Sequence, residues 1–269
     1  MSIASGSSGN CILVGTDRAK FLVDAGISGK RIEEGLLSEG LKPEDLDGIF
    51  LTHEHTDHIS GLRVMSKRYK LPIYATAGTI DAVLRTPGQK EIPVELFHEI
   101  RPDEVFTYRN LEAVPFRISH DAAEPVAYRF YEAEGERGGQ RTSVATATDL
   151  GKYDDYIIEN LKGAAAVLLE ANHDINMLQV GRYPYRLKQR ILGDRGHLSN
   201  DSAAMLLREL SRMGLRAALL GHLSEENNLP ALAYETVRLE LKMSEEPGKS
   251  GGIALGVADR NRRSAMIRI

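Results

Sequence analysis

The stretch Gly48-Ile49-Phe50-Leu51-Thr52-His53-Glu54-His55-Thr56-Asp57-His58 decides how this chain is read. Its first half is a short β-rich apolar run of the kind that forms a buried strand, and a helical spacing of apolar residues resumes from Ile59. The cluster therefore falls in the turn at the carboxyl end of a strand, where α/β sheets hold their ligands. Imidazoles at i and i+2 of an extended turn, His53 and His55, point the same way and can grip one metal ion. Asp57 and His58 can grip a second. Neutral imidazole and carboxylate suit zinc or manganese, with iron in the same range. A polar helix cap is the plainer alternative, because Thr56 or Asp57 would cap the helix that follows. A cap has no use for three histidines and an aspartate within six residues, so a two-cation centre is expected.

Bulk properties narrow the class. A chain of 269 residues suits one α/β domain, and one domain over 1–269 is the economical division. The opening Met1-Ser-Ile-Ala-Ser-Gly-Ser-Ser-Gly has neither a basic start nor an apolar core, so no signal peptide is expected. No apolar run approaches the ~20 residues of a membrane span. One cysteine, Cys11, excludes an internal disulfide and a cysteine-built zinc site. A cytoplasmic protein without membrane attachment is expected. The net charge of −4 does not advertise nucleic-acid binding, but the basic residues are unevenly placed.

Between Gly181 and Leu198 stand Arg182, Arg186, Lys188, Arg190 and Arg195 against one acid, Asp194. Tyr183 and Tyr185 lie among these cations, and cations interleaved with aromatic faces hold single-stranded or frayed nucleic acid. A plainly solvated helix face is the alternative.

The order of elements reads as β/α throughout. Strands are expected at Cys11–Val14, Phe21–Asp24, Leu71–Tyr74, Ala113–Ile118 and Gly163–Glu170, and a last buried one at Leu215–Leu220. A hairpin joins Val126–Tyr131 to Thr142–Thr148 across the turn Gly135 to Gly139. Helices are expected over Lys30–Ser38, Ile59–Tyr69, Ala77–Arg85, Asp201–Met213 and Pro230–Met243. The tail reads as edge strands at Ile253–Val257 and Ser264–Ile269, and His98 as a surface loop residue. Asp149 could simply cap a helix beginning near Lys152, and His173 could cap the helix after it.

His53-x-His55-x-Asp57-His58 resembles the signature of the metallo-β-lactamase-fold hydrolases, and the resemblance runs nearly end to end. It implies an α/β four-layer αββα sandwich. Ser5-Gly-Ser-Ser-Gly-Asn10, Asp24-Ala-Gly26 and His222-Leu-Ser224-Glu-Glu-Asn227-Asn228 further resemble the YycJ/WalJ-like branch, which is related to ribonuclease Z. The resemblance assigns His53, His55 and His120 to one cation and Asp57, His58 and His222 to the other, with Asp149 bridging. Asp24, Glu170 and His173 would orient those residues from behind. His197 matches the histidine that protonates a leaving oxygen in ribonuclease Z-like enzymes. Ser7, Ser199, Asn200, Ser224, Asn227 and Asn228 could donate to phosphate oxygens. Arg182, Tyr183, Tyr185, Arg186, Lys188 and Arg190 would form the nucleic-acid surface.

The chemistry expected is hydrolysis. Two cations about 3.5–4 Å apart share a hydroxide whose pKa falls to about 7, with Asp57 holding it in line. Such a centre suits a phosphodiester, a thioester or a lactam. The absent export signal disfavours the lactam, and the cationic segment favours a phosphate backbone. The branch implies 5′-to-3′ exonuclease action on DNA rather than RNA. Hydrolysis of a small thioester or phosphodiester metabolite is the alternative.

Overall fold

The computed structural model describes residues 1–137, 140–243 and 252–269. One sheet takes the first six strands in chain order: β1 (Ser2–Ala4), β2 (Cys11–Gly15), β3 (Lys20–Val23), β4 (Gly48–Phe50), β5 (Ile73–Ala75) and β6 (Phe97–Glu99). The second takes β7 (Phe106–Tyr108), β8 (Leu111–Arg117), β9 (Val126–Arg137), β10 (Gln140–Ala147), β11 (Ala166–Glu170), β12 (Ala217–Gly221) and β13 (Ala254–Val257). In each sheet an antiparallel part continues into a parallel part, from β3 to β6 and from β10 to β13. Helices α1 (Gly29–Leu37), α2 (Thr56–Ile59), α3 (Leu62–Tyr69) and α4 (Ala77–Arg85) belong to the first half. The second half holds α5 (Asp155–Leu161), α6 (Ile175–Val180), α7 (Tyr185–Leu192), α8 (Asn200–Ser211) and α9 (Pro230–Met243).

Alternation along the strands builds the layers. On β3, Phe21 and Val23 face the other sheet while Leu22 faces Ile32 and Leu36 of α1 and Met65 of α3. On β11, Leu168 faces the first sheet while Val167 and Leu169 face α5, α8 and α9. Three buried clusters result, one between the sheets and one under each helical layer, as a four-layer αββα sandwich requires. Rings fill much of the middle layer: Phe50 lies 4.9–5.6 Å from Phe21, Tyr74, Phe106, Tyr128 and Phe130. Cys11 is buried against the first helical layer.

Helix starts follow capping chemistry. Ser28, Thr76, Asp154, Asp174 and Ser199 each accept the N–H three residues on, which fixes where α1, α4, α5, α6 and α8 begin. Asp149 is therefore not a cap, because α5 begins later, behind Asp154. His173 does not cap α6, since Asp174 does. The expected long helix from Ile59 is two short ones, divided at Gly61. His98 lies in β6 and stacks on Tyr74 at 5.2 Å, so it is not a loop residue. The tail forms one strand, β13. Residues 264–269 form none: Ser264 N donates to Ser2 O and its Oγ accepts from Ser2 N, too few bonds for a ladder. Of the expected turn Gly135 to Gly139, residues 135–137 belong to β9, and 138 and 139 lie outside the described residues.

Gly26 ties this frame to the first-quarter motif. Its N–H donates to Asn10 O at 2.7 Å, and Asn10 N donates to Asp57 O at 2.8 Å. A Cβ at Gly26 would stand 1.7 Å from Asp57 O, and backbone there has nowhere to go. Gly26→Ala is expected to destabilise the protein by about 3 kcal/mol, at the upper end of overpacking costs. Urea unfolding measures it, and a change under ~0.5 kcal/mol would mean that the Asn10–Gly26–Asp57 contact is not rigid.

Candidate metal centre

The residues singled out in the sequence converge from both sheets. His53, His55, Asp57 and His58 follow β4, and His120 follows β8. Asp149, Glu170 and His222 follow or end β10, β11 and β12. Three strand ends turn sharply to deliver their side chains: Asp24, Asp149 and His222 have φ of 61°, 61° and 54°. This left-handed region is uncommon for residues other than glycine; the side-chain bonds of Asp24 and His222 offset its cost at those two positions.

Most of the imidazoles are held from behind by one ring nitrogen. The Nδ1 of His58 meets Asp24 Oδ2 at 2.7 Å, and the Nδ1 of His222 and of His197 each meet Glu170 Oε1 at 2.8 Å. His53 Nδ1 meets Thr52 Oγ1 at 3.0 Å, and His120 Nδ1 meets Gly196 O at 3.2 Å. With each Nδ1–H donated in this way, the Nε2 lone pair is the one left to face a cation. His55 presents Nδ1 instead, 3.2 Å from His120 Nε2.

The open nitrogens fall into groups whose donor atoms lie within 4.8 Å of one another: His53, His55 and His120, and Asp57, His58 and His222. Asp149 lies between, with Oδ2 3.3 Å from His58 Nε2 and Oδ1 3.5 Å from His222 Nε2. It joins His53 and His58 in one further group, and Glu170, His197 and His222 in another. His53 Nε2 and Asp149 Oδ2 are buried without any hydrogen-bond partner among the described residues, which a cation would supply. The donor set is imidazole and carboxylate without sulfur. These residues fit two divalent cations.

Burial and the neighbouring charges shift the ionisation of several of these groups. Burial, aided by the imidazoles of His58, His120 and His55, pulls the His53 pKa well below its ordinary value. Burial acts the same way on His222, but Asp149 and the bonds to Asp57 and Glu170 outweigh it and push its pKa up to about 10. Burial resists ionisation of Glu170, yet His197 and His222 hold its pKa below the carboxylate range.

The supporting residues have distinct environments. Asp24 accepts Thr52 N–H at 2.9 Å, Thr52 Oγ1–H at 2.8 Å and His58. Glu170 accepts Leu150 N–H at 2.8 Å and Leu198 N–H at 3.1 Å besides its two imidazoles. His173 is buried behind the His197 loop, bridged to Ser199 in parallel pairing, and neither ring nitrogen has a partner among the described residues. Burial lowers its pKa to about 4.

The expected phosphate donors are mostly spent inside the fold. Asn200 and Asn228 clasp each other through reciprocal amide bonds of 3.0 and 2.8 Å, and Asn228 also donates to Ala171 O and Asn172 O. Ser199 caps α8, and Ser224 accepts Asn227 N–H at 3.2 Å. All five are buried, whereas Ser7 is exposed. Of the cationic segment, Lys188 donates to Gln179 O and Arg190 pairs with Asp121. Arg182, Arg186 and Tyr185 remain exposed, and Tyr183 is half-buried.

Sequence reasoning missed three contributors. Thr52 links Asp24 to His53, and a hydroxyl just before the motif was the available signal. Asn10 Nδ2 stands 3.2 Å from His58 Nε2. Glu54 Oε1 accepts Ala123 N–H at 2.9 Å and so fixes the loop that carries His120.

Comparison with known proteins agrees with this architecture. Residues 19–223 match the family described as the beta-lactamase superfamily domain. The chain is 40% identical to exodeoxyribonuclease YycJ of Bacillus anthracis over 257 residues, 96% of this chain and 93% of that protein. It is 39% identical to exodeoxyribonuclease WalJ of Streptococcus pneumoniae, over 90% of this chain and 88% of that one. The fold is shared with zinc-bound PqqB of Methylobacterium extorquens at a TM-score of 0.69, 16% identity and coverage of 98% and 99%. It is shared too with the short form of human tRNase Z at 0.65, 15% identity and coverage of 100% and 99%. The chain belongs to the metallo-β-lactamase superfamily, as a metal-dependent hydrolase of the family that contains the YycJ and WalJ proteins.

Proposed function

We propose that this protein is a 5′-to-3′ exonuclease acting on DNA through two divalent cations, zinc or manganese. His53, His55 and His120 would hold one, Asp57, His58 and His222 the other, and Asp149 both. One observation carries the reading: the His/Asp groups include the Glu170–His197 pair, and Arg190 of the cationic helix α7 is tied through Asp121 to His120 among them. The nearly full-length likeness to two exodeoxyribonucleases supports DNA and removal from an end. When bound, the cations would supply an activated water near neutral pH and a Lewis acid for the phosphoryl oxygen.

The chain's own groups then have separable tasks. Asp57 is the residue to hold the attacking water in line. Its side chain is more open than that of buried Asp149, and His58 and His222 keep it ionised against the effect of burial. His197 gives its Nδ1–H to Glu170, which leaves Nε2 to present a proton to the departing sugar oxygen. Glu170 steadies the charge that this requires. Arg182 and Arg186 would meet phosphates, Tyr183 and Tyr185 would stack on bases, and Ser7 could donate from its turn. His173 would back the His197 loop.

Reconstituted protein is expected to release labelled nucleotide from 5′-end-labelled DNA much faster than from RNA, and to leave a thioester intact. Thioester hydrolysis with DNA untouched would replace the nuclease reading. His197→Ala should keep both ions and cleave DNA ~10²–10⁴-fold more slowly, the scale of a positioned acid. Its loss on a nitrophenyl phosphodiester should be far smaller, because that leaving group needs little protonation. Equal losses on both substrates would argue against proton donation.

His173 makes stability depend on pH. Its folded pKa of about 4 lies below the ordinary value of 6.5, so its contribution is intact above 6.5 and is lost as pH falls toward 4. Between pH 7 and 4.5 wild type should therefore lose about 2–3 kcal/mol more than His173→Leu, at ~1.4 kcal/mol per pH unit. Urea unfolding at the two pH values measures this, and parallel losses would show that His173 is not held neutral.

A further inference from the structure

We infer that Arg190, aimed by Asp121, receives the phosphate next to the reacting one and so makes the centre select strands that carry a second phosphate. This rests on the nuclease reading above and adds to it a residue that sets specificity.

Arg190 stands 69 positions from Asp121 in sequence and grips it with two bonds, Nε to Oδ2 at 2.5 Å and Nη2 to Oδ1 at 3.1 Å. Asp121 follows His120 directly, and its Oδ1 lies 3.4 Å from His120 Nε2, the nitrogen that faces His55. One carboxylate thus separates the guanidinium from an imidazole of the centre. A half-exposed ion pair adds little to stability. What it does fix is the position and tilt of a planar cation, and Asp121 occupies only the Nε and Nη2 edge. Nη1 has no hydrogen-bond partner among the described residues, and the Arg190 side chain is 53% exposed. A guanidinium so held offers a phosphate its remaining fork without first losing rotamer freedom.

The rest of the helix agrees. Arg186 lies one turn before Arg190 on the same face of α7, about 6 Å along the axis. Arg182 stands just before the helix. Both are exposed, and neither has an ion-pair partner among the described residues. Arg186 and Arg190 thus share one face of α7, and Arg190 is tied through Asp121 to His120 of the centre. A repeating phosphate backbone has the matching charge pattern, and a lone phosphodiester does not.

The test compares three thymidine dinucleotides: TpT, pTpT with an added 5′-phosphate and TpTp with an added 3′-phosphate. In wild type one of the phosphorylated pair should show a KM about tenfold or more below that of TpT, the scale of a charge-assisted contact. In Arg190→Gln that ratio should collapse to within about twofold, with the change in KM rather than kcat. Arg190→Lys should recover part of it, since it keeps the charge and loses the fork. Asp121→Asn should retain two ions by metal analysis while losing most of the KM preference. Anisotropy with labelled oligothymidylate in EDTA supplies a readout free of turnover: Arg190→Gln should flatten the slope of log affinity against log salt by about 0.7. Equal KM values for all three dinucleotides, in a wild type that degrades DNA, would overturn the inference and leave the nuclease reading standing. Loss of an ion in Asp121→Asn would overturn it too, because the carboxylate would then be a ligand. No hydrolysis of any DNA by wild type would end both.

Discussion

Two buried carboxylates, Asp24 in the first sheet and Glu170 in the second, are what the centre depends on. An imidazole can turn about its side-chain bonds, and a cation accepts only a narrow range of approach. Fixing the far nitrogen is the way to fix the near one. Asp24 does this for His58 and, through the Thr52 hydroxyl, for His53. Glu170 does it for His222 and His197 together. A carboxylate buried in the interior is tolerated only with a full set of hydrogen-bond partners. Asp24 has three bonds and Glu170 four. Removing any one partner would leave a buried charge short, so the two braces constrain the loops that supply them as strongly as the loops constrain the imidazoles.

The braces also explain the architecture. Each sheet brings one carboxylate to the end of a parallel strand, and each group of donors draws on both sheets: His53 and His55 with His120, Asp57 and His58 with His222. Asp149, reaching between His58 and His222, is the shared point. Its left-handed backbone is the local cost of letting a strand of one sheet reach donors of the other. Against burial, Asp149 and the neighbouring carboxylates push the pKa values of His58 and His222 up, whereas burial pulls that of His53 down.

The sequence makes local features plain. The strand, turn and helix around His53–His58 lie within a dozen residues, and apolar alternation with capping residues marks most other elements nearly to their ends. The likeness in motif then supplies His120, Asp149 and His222. What stays hidden is whatever depends on partners far apart in the chain. The Asn200–Asn228 clasp turned residues that look like phosphate donors into a buried brace. The Asp121–Arg190 pair needs α7 to be laid against the loop after β8, which no spacing reveals. His98 reads as a loop residue because its stacking partner, Tyr74, lies on the neighbouring strand, and β1 is too short to carry a periodic signal. A composition-based reading of the cationic segment likewise cannot separate Lys188 and Arg190, which have partners, from Arg182 and Arg186.

The buried Cys11 has a consequence for oxidative conditions. It is the chain's single thiol, it is wholly enclosed, and burial together with the nearby charge of Asp24 pushes its pKa far up. Oxidants and electrophiles attack the thiolate, so this sulfur offers them almost nothing. The donor groups around the centre hold no sulfur either. Peroxide or a disulfide-forming reagent that silences thiol-dependent enzymes would find no cysteine here through which to act, and the chemistry of the site would be insulated from the thiol redox state of its surroundings.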